Sequence, residues 1–376
     1  MRETDVLIVG ASFSGLASAA CLQKQGIGHV IIEKANSVGQ PWRGHYERLH
    51  LHTNKRISGL PFKKFDPASP RYPSRQEVVD YLDDYRRDLS IRPVFNTEAR
   101  SIRRDGHWWI AGTTGESFQS KYVVIATGAF GKPRQVVFRG METFPGKIIH
   151  SSEYKTGKEF TGQKVLVVGF GNSACVIATD LFEQGARPSL AVRSPVNVVP
   201  RDVFGIPILE LSLLMSRIPP RLADKINAPL LRLVVGDITR LGLKKMSYGP
   251  FEQIRHDGTV PLLDIGTLKH IRTGHISVRS GIDYIEIDTV HFADAKSESF
   301  DAIVAAIGYD RNYSAIIHVD DSRIADLRLP AGKQKYFGKD GLYFCGFWIA
   351  PTGQIREIGL DAQKIAKDIA MKEHHV

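Results

Sequence analysis

The sequence predicts an α/β protein of two doubly wound domains, one inserted into the other, and three observations carry that expectation. An apolar strand running into a glycine turn and a helix opens the chain. The same unit starts again near residue 164, and further apolar strands ending in small residues lie between and after the two. At 376 residues the chain is about twice the size of an ordinary domain, which leaves room for both. A hydrophobic share of 43% with 24% charged residues excludes a disordered chain, a collagen-like repeat and a coiled-coil rod.

The first unit reads Asp5-Val6-Leu7-Ile8-Val9 as a buried strand and Gly10-Ala11-Ser12-Phe13-Ser14-Gly15 as the turn. Leu16 to Gln25 follows as a helix stopped by Gly26, and His29 to Glu33 as a second strand ending in an acid. Gly10 permits the tight turn, Gly15 lets the helix pack close to the strand, and the helix N-terminus offers N–H groups to a pyrophosphate. Glu33, with Lys34 beside it, is placed to bind ribose hydroxyls, which suits FAD or NAD. Ser12 stands where the dinucleotide fingerprint has its middle glycine, and its hydroxyl is itself a candidate phosphate contact.

The second unit runs Lys164 to Val168, then Gly169-Phe170-Gly171-Asn172-Ser173-Ala174, a G-x-G-x-x-A turn. A helix to Gln184 and a strand from Ser189 to Val192 complete it, ending in Arg193-Ser194 rather than an acid. An arginine there suits a ribose that carries a 2′-phosphate, so NADPH is the expected ligand; a solvated strand-end arginine is the alternative. The two folds are therefore read as Rossmann-like dinucleotide-binding domains, the NADPH domain inserted into the FAD domain.

Between and after these units, Tyr122 to Ile125 leads into Ala126-Thr127-Gly128, Ala302 to Ile307 into Gly308-Tyr309, and Gly341 to Cys345 into Gly346-Phe347. Gln354 then precedes a helix expected from about Ile358 to Met371. Small residues after each strand let the backbone pass close to a cofactor. The expected domains are 1–155 with 300–376 for FAD and 156–299 for NADPH. The latter carries a helical insertion at about 200–264, rich in Leu, Ile and Pro, expected to help wall off the substrate.

Lys and Arg number 50 against 40 Asp and Glu, a net charge of +10, but the basic residues are scattered; nucleic acid is not an expected partner. No signal peptide and no transmembrane segment are expected, since charges and paired Pro219-Pro220 break the most apolar region, Val203 to Val235. Cys21, Cys175 and Cys345 lie far apart with no C-x-x-C pair, which fits a cytoplasmic protein and disfavours a disulfide reductase. His50 and His52 lack further ligands at metal spacing, so no metal is expected.

One further segment is specific. Phe144, Gly146, His150, Tyr154 and Lys155 fill every fixed position of F-x-G-x-x-x-H-x-x-x-Y-K, just ahead of the second glycine turn. With the two nucleotide-binding openings, this resembles the class B flavin-containing monooxygenases. Arg71-Tyr72-Pro73-Ser74, Val192-Arg193-Ser194-Pro195, Pro261 to Leu268, Ile271-Arg272-Thr273-Gly274 and Asp361 to Ala366 resemble its YUCCA-type branch and bacterial relatives. The resemblance implies FAD in the first domain and NADPH in the second. Hydride transfer to flavin and formation of a C4a-(hydro)peroxyflavin with O2 would oxygenate a small organic substrate. A 2-oxo acid such as indole-3-pyruvate is the implied substrate. Sulfide or amine oxygenation, Baeyer–Villiger oxidation, a flavin-dependent NADPH oxidase and a non-enzymatic dinucleotide sensor stay open.

By the same resemblance Thr53-Asn54 lies near the flavin, Asn54 being the candidate catalytic contact to the NADP⁺ and peroxyflavin region; an Asn fixing a loop turn is the alternative. Trp42 matches a G-G-x-W stretch beside the flavin, with Gln40 in place of the second glycine, and a packed core Trp is its alternative. Besides Ser12, the chain departs from the family in having Ile307 where a Thr is usual and in its Leu51-His52-Thr53-Asn54 segment. A homodimer is a further expectation.

Overall fold

The computed structural model describes residues 1–128, 131–310, 317–318 and 338–374. The chain divides into two compact units: Met1–Gly44 with Thr53–Lys132 and Asp310–Val376, and His45–His52 with Pro133–Tyr309.

In the first unit the strand Arg2–Val9 lies between His29–Ile32 and Phe118–Ile125, parallel to both. Its apolar run is buried on both faces, as a parallel strand requires. Leu7 and Val9 join Trp109, Phe118, Ile125 and Phe344 in one core cluster, while Ile8 faces Gly15 on the following helix. That helix, Phe13–Lys24, buries every residue from Phe13 to Leu22 against the sheet and the long helix Gln354–His374. Small residues (Gly15, Ala17, Ser18, Ala19, Ala20) make such burial on all sides possible. The sheet extends through antiparallel Trp108–Thr113 and Ala99–Asp105, and Leu342–Phe344 adds in parallel to the C-terminal half of Phe118–Ile125.

The second unit holds five parallel strands in the order Ser277–Arg279, Arg187–Ala191, Lys164–Val168, Ala302–Ala305 and Lys147–His150. The helix Asn172–Glu183 follows its glycine turn. A three-stranded antiparallel ribbon, Ile282–Glu286, Thr289–Phe292 and Ser297–Ser299, leads into Ala302–Ala305. Helices Ile208–Met215, Pro220–Val235 and Pro250–Asp257 occupy the segment expected to be helical.

The expected domain limits need correction. Lys147–His150 and Ala302–Ala305, assigned from the sequence to the first domain, are neighbouring strands of the second unit's sheet, and His45–His52 belongs to that unit too. The physical reason is that neither a fully buried apolar strand such as Ala302–Ala305 nor a four-residue edge strand such as Lys147–His150 carries a pattern saying which sheet it joins. Gly146 shows how tightly this edge is built: a Cβ there would overlap the carbonyl oxygen of Asp301, the residue ahead of Ala302–Ala305. Gly146→Ala is expected to destabilise the protein by about 1–3 kcal/mol, read as a lower urea midpoint at an unchanged slope; a midpoint equal to the parent's would contradict that packing.

Candidate functional site

Strand register gathers the first unit's candidate residues. Val9 pairs with Ile32 and Ile125, and Ile125 with Phe344, so four parallel strands end in one row. The residues that follow each strand are thereby delivered to one edge of the sheet, the usual ligand position of such folds. Gly10 turns with φ of 101° and donates its N–H to the Ile32 carbonyl at 2.8 Å. A Cβ on Gly10 would sit 3.0 Å from the Ala126 oxygen, and one on Gly15 would overlap the Gly10 carbonyl.

Ser12 is the N-cap of the helix with φ of −107° and ψ of −156°, an extended backbone that any residue adopts. Serine therefore replaces glycine there without strain. Its hydroxyl makes no capping bond, leaving the first-turn N–H groups to an anion. Ser14 is buried, and Gly346 lies so close that a Cβ would overlap its hydroxyl.

The Glu33 carboxylate is fixed at the lip of this turn. One oxygen accepts from the Ala11 N–H at 2.7 Å and the other from the Ala35 N–H at 3.0 Å. Each retains a second lone pair for a hydroxyl. Gln354 donates its amide to the Gly346 carbonyl at 2.7 Å, Phe347 sits edge-on to Phe344, and Thr53 abuts Gly353. Trp42 meets Phe13 edge-on at 6.0 Å. Asn54 is 1% exposed; its Oδ1 accepts from the Arg56 N–H at 2.9 Å and its carbonyl from Ser58 Oγ at 2.7 Å, so it does fix a loop turn. Lys34, Gln40 and Thr127 are exposed, with the Gln40 carbonyl taken by Ser37, and Gly128 turns with φ of 83°.

The second unit repeats the device. Ala191 pairs with Arg279 and Val168, and Ala305 with Val168 and His150, so five strands end in one row. Gly169, with φ of 125°, donates to the Ala191 carbonyl at 3.0 Å, and a Cβ would lie 2.6 Å from the Ala306 oxygen. Gly171 is the helix N-cap, and a Cβ there would meet nothing within 4 Å, which leaves the turn open above the helix N-terminus. Asn172 is partly spent, its Oδ1 accepting from the Leu263 N–H at 2.9 Å. Arg193 and Ser194 are exposed at the end of the strand that follows.

Phe144, Gly146, His150 and Tyr154 act as a clamp on this sheet. His150 is buried with Nε2 3.1 Å from the Gly308 carbonyl and Nδ1 3.1 Å from the Ser152 N–H. A carbonyl can only accept, so Nε2 carries the hydrogen and fixes Gly308, with Tyr309 edge-on to the ring at 5.3 Å. Tyr154 donates to buried Asp180 at 2.6 Å, and the Gly157 N–H adds a second bond at 2.9 Å. Burial, then Asp180, pushes the Tyr154 hydroxyl far up.

Two residues were not foreseen. Buried Tyr46 hydrogen-bonds Ser173 in the second glycine turn, and its hydroxyl is pushed up to about 12 by burial. Gly281 lies against the stem of Arg193, where a Cβ would come within 3.0 Å of Arg193 Cβ and 3.1 Å of Cγ. No spacing in the sequence singles out either; both depend on chain segments far away along it. His52, half-buried near Arg201 and His50, is pushed down to about 4, chiefly by burial.

These features fit two dinucleotides. Each unit offers an uncapped helix N-terminus behind a glycine that admits no side chain, followed by a strand ending in an acid in one unit and a guanidinium in the other. The model of the pyridine nucleotide-disulphide oxidoreductase family matches residues 7–202. Over 378 residues the chain is 39% identical to indole-3-pyruvate monooxygenase YUCCA6 of Arabidopsis thaliana, covering 97% of this chain and 90% of that protein. The chain belongs to the YUCCA family of flavin-dependent monooxygenases. Indole-3-pyruvate monooxygenase YUCCA1 of Oryza sativa subsp. japonica is 36% identical over 98% of this chain and 92% of its own. The NADP+-bound cyclohexanone monooxygenase of Rhodococcus sp. Phi1 shares the fold with a TM-score of 0.75 at 18% identity, over 99% of this chain and 85% of that one.

As a member of the YUCCA family this is an FAD- and NADPH-dependent monooxygenase acting on a small molecule with O2. The three cysteines are buried and free, and burial pushes Cys21 and Cys345 up to about 12, the opposite of what thiol–disulfide chemistry needs. Tyr154→Phe should cost about 1–3 kcal/mol of stability by leaving Asp180 short of a donor; an unchanged thermal midpoint would show that the hydroxyl is dispensable.

Proposed function

We propose that this chain carries out the oxidative decarboxylation of a 2-oxo acid of the indole-3-pyruvate type. The reaction would take R–CO–COOH, O2, NADPH and H⁺ to R–COOH, CO2, H2O and NADP⁺. One observation carries this reading: identity of 39% to YUCCA6, sustained over 97% of the chain, where the lone glycine turns would support any dinucleotide enzyme. When bound, the flavin supplies the chemistry of accepting hydride and activating oxygen.

The chain's own residues would hold and orient the two cofactors. In the first unit Gly10, Ser12 and Gly15 would give the FAD pyrophosphate an uncapped helix start, with Ser14 and Gly346 packed beside it. Glu33 would receive the ribose hydroxyls on an oxygen already aimed by the Ala11 N–H. In the second, Gly169, Gly171 and Ser173 would take the NADPH pyrophosphate, Tyr46 setting the serine hydroxyl. Arg193 would pair with the 2′-phosphate and owe its position to Gly281. Asn54, fixed in its loop by its Oδ1, would contact the NADP⁺ and flavin region, the role that the family resemblance gives it. We further read the enzyme as cytoplasmic and homodimeric.

The test begins with the visible spectrum of the purified protein. It should be yellow, bleach when NADPH is added without air, and with air turn over indole-3-pyruvate to indole-3-acetate faster than it oxygenates a sulfide or a cyclic ketone. Bleaching with preferred turnover of the sulfide or the ketone would refute the 2-oxo-acid reading. For the coenzyme, Arg193→Ala should raise KM for NADPH about tenfold to a hundredfold, the worth of a charge-assisted phosphate bond, and leave KM for NADH unchanged. Gly281→Ala should move it the same way by less; equal effects on both coenzymes would remove Arg193 from the 2′-phosphate.

A further inference from the structure

Half of the large hydrophobic side chains that stand exposed among the described residues lie within one short stretch: Phe204, Ile206, Leu214, Leu222, Ile226 and Leu233. On the helix Pro220–Val235 they are ordered. At 3.6 residues per turn Leu222, Ile226 and Leu233 fall within about 40° of one another, in a single stripe. Arg221, Lys225 and Arg232 form a second exposed stripe roughly a quarter turn away, Arg221 being paired with Glu252 at 2.8 Å.

The rest of the helix circumference is the inward side. Ala223 and Val235 are buried there, and Asp224, the only acid of the helix, accepts from the Phe251 and Glu252 N–H groups at 3.0 and 2.9 Å. The outward face is therefore apolar and basic, with its one carboxylate turned away. Ahead of it, the hairpin pairing Val203 with Ile206 carries Phe204 at its tip. Phe204 is 81% exposed with φ of 48°, a left-handed conformation that a bulky residue seldom adopts and a two-residue turn usually gives to Asn, Asp or Gly. An aromatic ring is thus held out into solvent at a position where a small polar residue would fit better.

We infer that this face docks the enzyme on an anionic lipid surface, the helix Pro220–Val235 lying in the interface and Phe204 entering it from the hairpin tip. A lipid surface satisfies both stripes together: acyl chains receive Leu222, Ile226 and Leu233, and anionic headgroups receive Lys225 and Arg232. The same helix face of a second copy would offer apolar and basic groups but no carboxylate. The contact is peripheral, since no helix among the described residues is long and apolar enough to cross a membrane.

The test is sedimentation of the yellow holoenzyme with vesicles of phosphatidylcholine alone and with phosphatidylserine added. Binding is expected only to the anionic vesicles and should fall as salt is raised. Lys225→Gln with Arg232→Gln should weaken it about twenty-five-fold, at about fivefold per lost charge. Leu222→Ser, Ile226→Ser and Leu233→Ser together should weaken it by about tenfold or more, with anaerobic bleaching by NADPH retained. Bleaching reports the flavin and coenzyme sites separately, so loss of vesicle binding with intact bleaching bears on this inference alone. Parent enzyme that stays in solution with phosphatidylserine vesicles at low salt, or that binds both vesicles equally, would overturn it. So would a serine variant that binds as the parent does, or one whose only change is the loss of a dimer seen by light scattering.

Discussion

The fold turns on the close approach of backbone to backbone where parallel strands end. Gly10 stands against the Ala126 carbonyl and Gly169 against the Ala306 carbonyl, where a β-carbon would sit 3.0 Å and 2.6 Å from the oxygen. Both adopt positive φ, and both tie their N–H to the neighbouring strand's last carbonyl. This contact aims the following helix so that its N-terminus faces the row of strand ends, and every other candidate group is placed relative to it. Glu33 and Arg193 reach their positions only because their strands run parallel to the strand ahead of each glycine turn and stop at the same level.

The segment from Phe144 to Tyr154 has a related structural task. It supplies an edge strand, backs Gly146 against the Asp301 carbonyl, bonds His150 to Gly308 and anchors Tyr154 on Asp180. Asp301 and Gly308 flank the strand Ala302–Ala305, and Asp180 lies on the helix after the glycine turn. A family-identifying string thus describes a clamp on the nucleotide-binding sheet, and its histidine has both ring nitrogens engaged. Ser12 illustrates the reverse case, in which a departure from the fingerprint has no conformational penalty because the backbone there is extended.

Much of the architecture was legible in the sequence because its signals are local. An apolar run of four or five residues followed by glycine and a small-residue helix specifies strand, turn and helix within a few residues, and both units carry it. The antiparallel ribbons Ala99–Thr113 and Ile282–Ser299 were not read. Their strands are short and mix charged with apolar residues on half-exposed surfaces, as Arg103-Arg104-Asp105 shows. The homes of Lys147–His150 and Ala302–Ala305 are not encoded locally, because an all-apolar strand such as Ala302–Ala305 pairs equally well with either sheet and Lys147–His150 is too short to show a pattern.

Residue types and their spacing specify the two glycine turns, the acid and the arginine at the two strand ends, and the family to which the chain belongs. These depend on residue types at fixed short spacings, where chain geometry leaves few alternatives. Tertiary structure alone decided that Gly281 shapes the ground on which Arg193 stands, that Tyr46 reaches Ser173, that the amide oxygen of Asn54 is spent on its own loop, and that an apolar stripe faces outward on Pro220–Val235. The first two join segments far apart along the chain. The last two depend on which side of a loop or helix is already occupied, and no local pattern encodes that.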